Sequence, residues 1–458
     1  FSDYIDYLRG KRIGVIGFGV SNQPLVRVLL QNGCDVTVCD RRERAQLGAP
    51  GDEAAAQGAK FALGADYLEH LDFDVIFRTP GVLPIVPQLR KAAQNGAILT
   101  SEMEAFCNLC PCRILAITGS DGKTTTSTIT AELLRAQGYT VHLGGNIGTP
   151  LFDRIADIRP DDFAVLELSS FQLHGMHCAP DVAIITNISP NHLDVHPDLE
   201  DYVSAKCSIY RGQRPDGVLV LNAKDAHTPR FAAEAPGSVR YFSSVGPVEN
   251  GVYCSDGVIY RAHGGKAEKL IDVSDIRIPG AHNVENYMAA FAATDGLVGQ
   301  AACVQVARSF AGVPHRMERI RELNGITFIN DSIASSPTRT IAGLHALPKP
   351  PVIILGGHDK HIPFDELGDE VCLHAKAAVV VGETAQRIAA AIRGSKFYDP
   401  GKLPLVEAQD FRAAVETAYR LAQPGDTVTL SPACSSFDFF KNFAERGDTF
   451  RAIVESLQ

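Results

Sequence analysis

Residues 116–134 read AITGSDGKTTTSTITAELL, and the fold turns on this stretch. The apolar run RILAIT (113–118) has the character of a strand. Gly119 and Gly122 then frame a turn that carries Lys123, and TTTSTITAELL continues with helix-like character. That order builds an anion cradle, because the free N–H groups and the dipole at a helix N-terminus attract negative charge. Gly119, Ser120, Asp121 and Gly122 would supply the loop, Lys123 would reach terminal phosphates, and the Thr124 or Thr125 hydroxyl can ligate Mg²⁺. The general G-x-x-x-x-G-K loop needs Gly at 117, where this chain has Ile117, so the loop is a variant. A plain glycine turn with a solvated lysine does not account for the order of glycines, Lys and Thr.

Strand and helix signals alternate on both sides of this loop. KRIGVIGFG, CDVTVCD and DFDVIFRTPG read as strands before it; FAVLELS and VAIITNIS follow it. From about 215 to 275 the pattern loosens into short strands and turns, as in an antiparallel insertion or subdomain. Beyond GVPHRMERI the alternation returns with PVIILGG, AAVVVG and DTVTLSPAC. Such βαβ rhythm predicts parallel sheets with helices on their faces. The expected class is therefore α/β. With ~150 residues per domain, 458 residues predict about three domains. The pattern places them at 1–101, 102–311 and 312–458.

Composition narrows the functions. The formal charge of −10 argues against non-specific nucleic-acid binding or an anionic membrane surface. No apolar run approaches the roughly 18–20 residues of a membrane span. Eleven cysteines without a visible secretory signal fit a reduced, cytoplasmic protein. CNLCPC (107–112) groups three sulfurs with no second Cys/His pair at zinc-site spacing, so it reads as a helix end or linker.

Two further turns invite a ligand. GFGVSN (17–22) lies between a strand and a helix, and Asp40 ends the next strand, as in a dinucleotide fingerprint. Asn22 replaces the third glycine, which that fingerprint uses for close helix–strand packing. Arg41 and Arg42 suit a ligand with extra negative charge, such as a nucleotide diphosphate. LGGNIGTP (143–150) places glycines around one Asn and, alone, is equally a plain loop.

Taken in order, TGSDGKTT, GGNIG, VLELSSFQL and NHLDVH resemble the Mur ligases, ATP-dependent amino-acid ligases of peptidoglycan precursor synthesis. GGHDK (356–360) and SPACSSFDFFKNFAERGDTF (431–450) narrow the resemblance to the branch that adds D-glutamate to UDP-N-acetylmuramoyl-L-alanine. The resemblance spans essentially the whole chain. It implies a UDP-binding Rossmann-like domain, a central P-loop ATPase-type domain with a small antiparallel subdomain, and a Rossmann-like C-terminal domain. It also implies a monomer.

Roles follow by resemblance. Gly17, Val20, Ser21, Asp40, Arg42 and Gly81 would surround the uridine diphosphate; Asn146, Ser169 and Gln172 would contact the muramoyl-alanine part. Glu167 and His192 would ligate Mg²⁺, two ions in all, with Thr124. Lys206 would join them as a carbamate formed with CO₂; read from the residues alone it is an exposed helical lysine. Asn283 and Asn286 would lie on the ATP side, Arg316 would neutralise γ-phosphate charge, and Asp331 would accept from the ribose. Ser335, Lys360, Ser436 and Phe443 would hold the glutamate.

Two positions depart from the family pattern. Ile333 stands where a lysine follows NDS, with Ser335 for a threonine, and Arg339 is the nearest cation able to substitute. Asp121 stands where many relatives carry Asn. Rival readings are an L-glutamate-adding variant, a folylpolyglutamate synthetase-like ligase, a nicotinamide-dependent oxidoreductase built on GFGVSN, and a non-catalytic nucleotide-binding module. The oxidoreductase leaves the second loop and Glu167 without purpose, and the module would be expected to lack Lys123, Glu167 or His192.

Overall fold

The computed structural model describes residues 1–190, 192, 195–359 and 362–458. They form two compact units, Phe1–Phe310 and Ala311–Gln458, and among the described residues three sheets of five, nine and six strands.

The first unit holds two sheets. Its N-terminal sheet is all parallel, in spatial order Lys60–Leu63, Asp35–Asp40, Arg12–Ile16, Val75–Arg78, Ile98–Thr100. Ile13, Val15, Val36, Val38, Val75 and Phe77 are buried on one face and Ile16, Cys39 and Ile76 on the other, the near-continuous apolar run expected of strands covered on both faces. The chain order reverses beside Arg12–Ile16, and the GFGVSN turn leaves the C-terminal end of that strand, where open α/β sheets bind ligands.

In the nine-stranded sheet Arg113–Thr118 lies third from one edge, between Phe163–Glu167 and Val182–Ile185, and Val141–Gly145 forms that edge beyond Phe163–Glu167, all parallel. Val218–Asn222, Ser238–Ser243 and Gly251–Ser255 extend it in parallel, and Val258–His263 and Lys266–Asp272 close the edge antiparallel. The loosely patterned stretch is thus continuous with the central sheet, its antiparallel part confined to a meander over Gly251–Asp272. Its short strands alternate apolar Val252, Ile259 and Ile271 with polar residues because one face alone is covered.

The helix Lys123–Ala136 buries Ile129, Leu133 and Leu134 in one apolar core and stops before Gly138, which has φ of 102°. One apolar core runs from Ile5, Leu25 and Phe106 through Phe152 and Leu166 to Tyr202 and Phe231, so packing continues across the break between the two sheets. Buried Arg78 donates across the same break to the carbonyls of Phe171, Gln172 and His174.

The second unit has the strand order Glu318–Leu323, Ile326–Asn330, Thr427–Leu430, Val352–Leu355, Ala377–Val380, Leu405–Glu407. The first two form an antiparallel hairpin and the rest are parallel.

Candidate active site

The 119–122 loop leaves the strand Arg113–Thr118 and enters the helix Lys123–Ala136 at Gly122, whose φ of 78° is left-handed. Gly119, at φ 145°, passes so close to the neighbouring loop that a Cβ would lie 1.9 Å from Thr186 Oγ1. Glycine is required at both points.

Residues 186–189, which follow the strand Val182–Ile185, clamp the loop. Asn187 O accepts from Ser120 N at 2.9 Å, and Asn187 Oδ1 from Asp121 N at 3.0 Å. Thr186 Oγ1 donates to Asp121 O at 2.6 Å. Ser120 Oγ lies 2.9 Å from Tyr202 Oη and donates to Ser189 O. The Asp121 side chain is exposed and meets Ser189 Oγ at 3.5 Å, so this acid leans away from the loop's own amides. Lys123 Nζ donates to Gly119 O and Ser120 O at 2.9 and 2.8 Å. Thr124 and Thr125 are buried in the first turn. Asn286 accepts from Thr126 Oγ1 and donates to Asn283 Oδ1, which places both asparagines beside that turn.

Glu167 ends the strand Phe163–Glu167 at 1% exposure. Its Oε1 accepts from Asn146 Nδ2 at 2.9 Å; Oε2 is buried and has no partner among the described residues. A bare buried carboxylate oxygen costs more than a typical hydrogen bond contributes, and a divalent cation would satisfy it. Ser169 and Gln172 cap the next short helix reciprocally. Lys206, also 1% exposed, donates to Gly119 O at 2.8 Å and lies over the Tyr202 ring. Burial first, then the charge of Lys123, pushes its ammonium well below the usual lysine range, against the opposing pull of Asp121 and Glu167. His192 adopts φ of 56° and stands edge-on to the Phe171 ring.

At the N-terminal turn, Gly17 has φ of 79° and Asn22 Nδ2 donates to Ile16 O and Gly17 O. Asn22 thus fastens the turn through its side chain, where a third glycine would do so by close packing. Phe18 N and the Arg42 guanidinium hold the Asp40 carboxylate. Burial alone would raise Asp40, but these bonds outweigh it and hold the group at about 2. Val20, in the same turn, and Gly81, two residues after the Thr79 that faces Gly17, are exposed, and Ser21 makes no side-chain capping bond to the following helix.

In the second unit, Asp331 accepts from Met317 N and Ser431 Oγ. Burial raises its carboxyl to about 6, while Ser431, Met317 and the charges of Arg316 and Arg339 pull the other way. Arg316 Nε is buried without a partner among the described residues. Ser335 N donates to Ile333 O, and Ser436 is buried. Phe443 begins the last helix, its carbonyl accepting from Ser332 Oγ and its ring 40% exposed. Lys360 lies outside the described residues.

Comparison with known proteins gives the family. Residues 117–294 match the Mur ligase middle domain, and 315–434 match the Mur ligase glutamate ligase domain. The chain is 45% identical to the UDP-N-acetylmuramoylalanine–D-glutamate ligase of Acetivibrio thermocellus, covering 100% of this chain and 99% of the relative. It is 44% identical to the enzyme of the same name from Clostridium botulinum, with the same coverage. The chain belongs to the Mur ligase family.

Solved Mur ligases share the fold at low identity. UDP-N-acetylmuramate-alanine ligase from Thermotoga maritima superposes with a TM-score of 0.54 at 17% identity, over 97% of this chain and 99% of that one. MurF from Acinetobacter baumannii gives 0.57 at 18%, over 99% and 92%.

Sequence reasoning missed several groups in this Mur ligase. The Thr186–Ser189 clamp had a signal: the polar TNIS directly after an apolar strand. Tyr202, His174, His196 and Asp201 had none, since their meeting depends on how one helix packs. Arg446, inside the quoted C-terminal motif but not singled out there, is 2% exposed and donates to the carbonyls of Ser332, Cys434 and Ser435. The CNLCPC cysteines fall at the end of the helix Glu102–Leu109 and the start of the strand Arg113–Thr118.

Proposed function

We propose that this chain joins D-glutamate to UDP-N-acetylmuramoyl-L-alanine, with ATP converted to ADP and phosphate, in peptidoglycan precursor synthesis. The observation that carries the reading is the convergence of Lys123, Glu167 and Lys206 on one phosphate loop at the strand ends. Full-length similarity of 43–45% to D-glutamate ligases supports the substrate assignment.

A carboxylate is a poor electrophile, so amide formation in water needs activation. The alanine carboxylate attacks the γ-phosphorus of ATP, breaking its bond to the β–γ bridging oxygen and giving an acyl phosphate and ADP. The glutamate amine then attacks the acyl carbon, the tetrahedral intermediate expels phosphate, and the amine loses a proton. Lys123 exchanges the carbonyls of Gly119 and Ser120 for the β- and γ-phosphates. The loop N–H groups and the helix dipole hold the phosphates in place before reaction, so no reorganisation is needed as charge develops. Asn146 orients the Glu167 carboxylate. Arg316 offers a buried guanidinium edge to the transferring phosphoryl group, Asp331 accepts from the ribose, and Ser335, Lys360, Ser436 and Phe443 receive the glutamate.

Mg²⁺ would be held by Thr124 and Glu167, and a second ion by His192 and a Lys206 carbamate; it would supply charge neutralisation at the phosphates. The orphaned Glu167 oxygen supports this donor set, as does the burial of Lys206 beside the loop, which lowers its affinity for a proton and so assists addition of its amine to CO₂ with loss of a proton. At the N-terminal turn, Gly17, Val20, Ser21, Asp40, Arg42 and Gly81 would face the uridine diphosphate. We infer three functional domains at 1–101, 102–311 and 312–458 and a cytoplasmic monomer. No helix of the described residues is long and apolar enough to cross a membrane, and light scattering should return a mass near 49.3 kDa.

Phosphate release with UDP-N-acetylmuramoyl-L-alanine, Mg-ATP and bicarbonate tests the reading, with D- and L-glutamate offered separately. Turnover with D-glutamate alone is expected. Turnover with L-glutamate would assign Ile333 and Ser335 to a stereochemical switch, and turnover with neither would overturn the substrate assignment.

A further inference from the structure

Three residues after Glu167, the Ser170 hydroxyl lies 3.0 Å from His196 Nε2. On the other side of that ring, His196 Nδ1 is 2.7 Å from Asp201 Oδ2. The second Asp201 oxygen is 3.0 Å from His174 Nε2. Ser170 and His196 are 2% and 1% exposed. Asp201 sits in the first turn of the helix Leu199–Arg211, and the same helix carries Lys206.

With the His196 ring neutral, the hydrogens along Ser170, His196 and Asp201 have one arrangement. An ionised carboxylate only accepts, so both imidazoles donate to Asp201. His196 therefore carries its proton on Nδ1, Nε2 is left as an acceptor, and the Ser170 hydroxyl must donate to it. The link is separate from helix capping, because Ser169 Oγ already accepts from Gln172 N. It joins two segments distant in sequence: the corner holding Glu167 and the helix holding Lys206. The His196 ring is also held between Phe171, stacked at 5.4 Å, and Tyr202, edge-on at 5.3 Å.

We propose that Ser170, His196 and Asp201 form a positioning relay that fixes the Glu167 corner against the helix carrying Lys206. The inference rests on the ligation reading of Glu167 and Lys206. Two groups that grip one charged centre from separate elements need a fixed separation, and small misplacements in such a site are costly. A buried chain with one proton arrangement supplies that fixity, and none of its members need touch substrate.

The test compares Ser170→Ala, Ser170→Thr and Asp201→Asn in the full chain. An amide at 201 offers one acceptor and one donor, so one imidazole must switch tautomer or lose its partner. Calorimetry measures Mn²⁺ binding in the presence of a non-hydrolysable ATP analogue, and steady-state kinetics give kcat per active site. S170A and D201N are expected to weaken Mn²⁺ binding and lower kcat by about 10–100-fold, the range for residues that orient metal ligands. KM for D-glutamate should stay within about two-fold, and S170T should recover both quantities. A merely structural role would lower thermal stability and the active fraction while leaving Mn²⁺ affinity and kcat per active site unchanged, and that result overturns the relay. Equal losses in S170A and S170T would also overturn it. Should D201N not fold, the two Ser170 variants decide. A parent protein that binds Mn²⁺ but does not ligate glutamate removes the substrate assignment and leaves the relay judged by binding; one that binds no Mn²⁺ removes both.

Discussion

Asn146 and Glu167 hold each other twice: Asn146 N donates to Glu167 O at 2.7 Å, and Asn146 Nδ2 to Oε1 at 2.9 Å. The double grip turns the carboxylate so that Oε2 stays bare in a buried setting. Asn146→Ala should therefore cost about 10–100-fold in Mg²⁺-dependent turnover, as loss of a ligand-orienting partner does. Glu167→Gln should cost more, because it removes the charge itself while nearly preserving shape. Steady-state kinetics over a Mg²⁺ series check the order; a Glu167→Gln protein as active as Asn146→Ala would mean that Glu167 is not the cation's anchor.

The phosphate loop makes a steric prediction. A Cβ on Gly122 would lie 2.3 Å from Asn286 Oδ1, in a backbone conformation with φ of 78°. Gly122→Ala should lose about 1–2 kcal/mol for the left-handed backbone alone, plus the displacement of Asn286. Adding Asn286→Ala should recover only the steric part. Urea midpoints of the two single variants and the double variant separate the terms, and strict additivity would show that the contact is relieved without cost.

Stability should carry a pH signature from Glu102. Burial raises its carboxyl to about 7, the Asp153 charge adds to this, and a bond from Phe152 N opposes it. The folded state then binds a proton that the unfolded state, titrating near 4.5, has released. Glu102 therefore contributes stability that is full below about pH 4.5 and lost as pH rises through about 7. Relative to Glu102→Gln, the parent should gain up to about 3 kcal/mol between pH 8 and pH 4.5. Denaturant titrations of both proteins across that range check the sign; a constant difference would show that Glu102 stays ionised.

Much of this was readable before any coordinates. The strand–glycine–lysine–helix order at 116–134 reflects local chemistry, since each residue's role depends on its near neighbours. Glu167 at a strand end was legible for the same reason, whereas Ser169 and Gln172 entered only by resemblance as substrate contacts, and their capping of a short helix emerged from the structure. What escaped were relations between distant segments. Lys206 reads as an exposed helical lysine, yet the packing of its helix under Gly119 buries it. The stretch from 215 to 275 looked like an insertion because its pattern weakens, but an edge strand covered on one face weakens in the same way. Asn22 looked like a defect in a glycine fingerprint, and only the carbonyls of Ile16 and Gly17 show what it does.

The missing lysine at 333 sets the last prediction. Arg339 Nη1 donates to Ile333 O at 3.4 Å, and the charge of Arg339 acts on buried Asp331. The guanidinium thus lies by the backbone of the residue that replaced a cation. If it takes over that cation's part, Arg339→Ala should raise the KM for glutamate while leaving the KM for ATP within about two-fold, since the loss is of ground-state binding. Introducing Ile333→Lys into the Arg339→Ala background should then restore the glutamate KM, because an ammonium returns to the same neighbourhood on a different stem. An unchanged glutamate KM in Arg339→Ala would exclude the substitution. A raised KM that Ile333→Lys fails to restore would show that Arg339 serves glutamate from a position of its own.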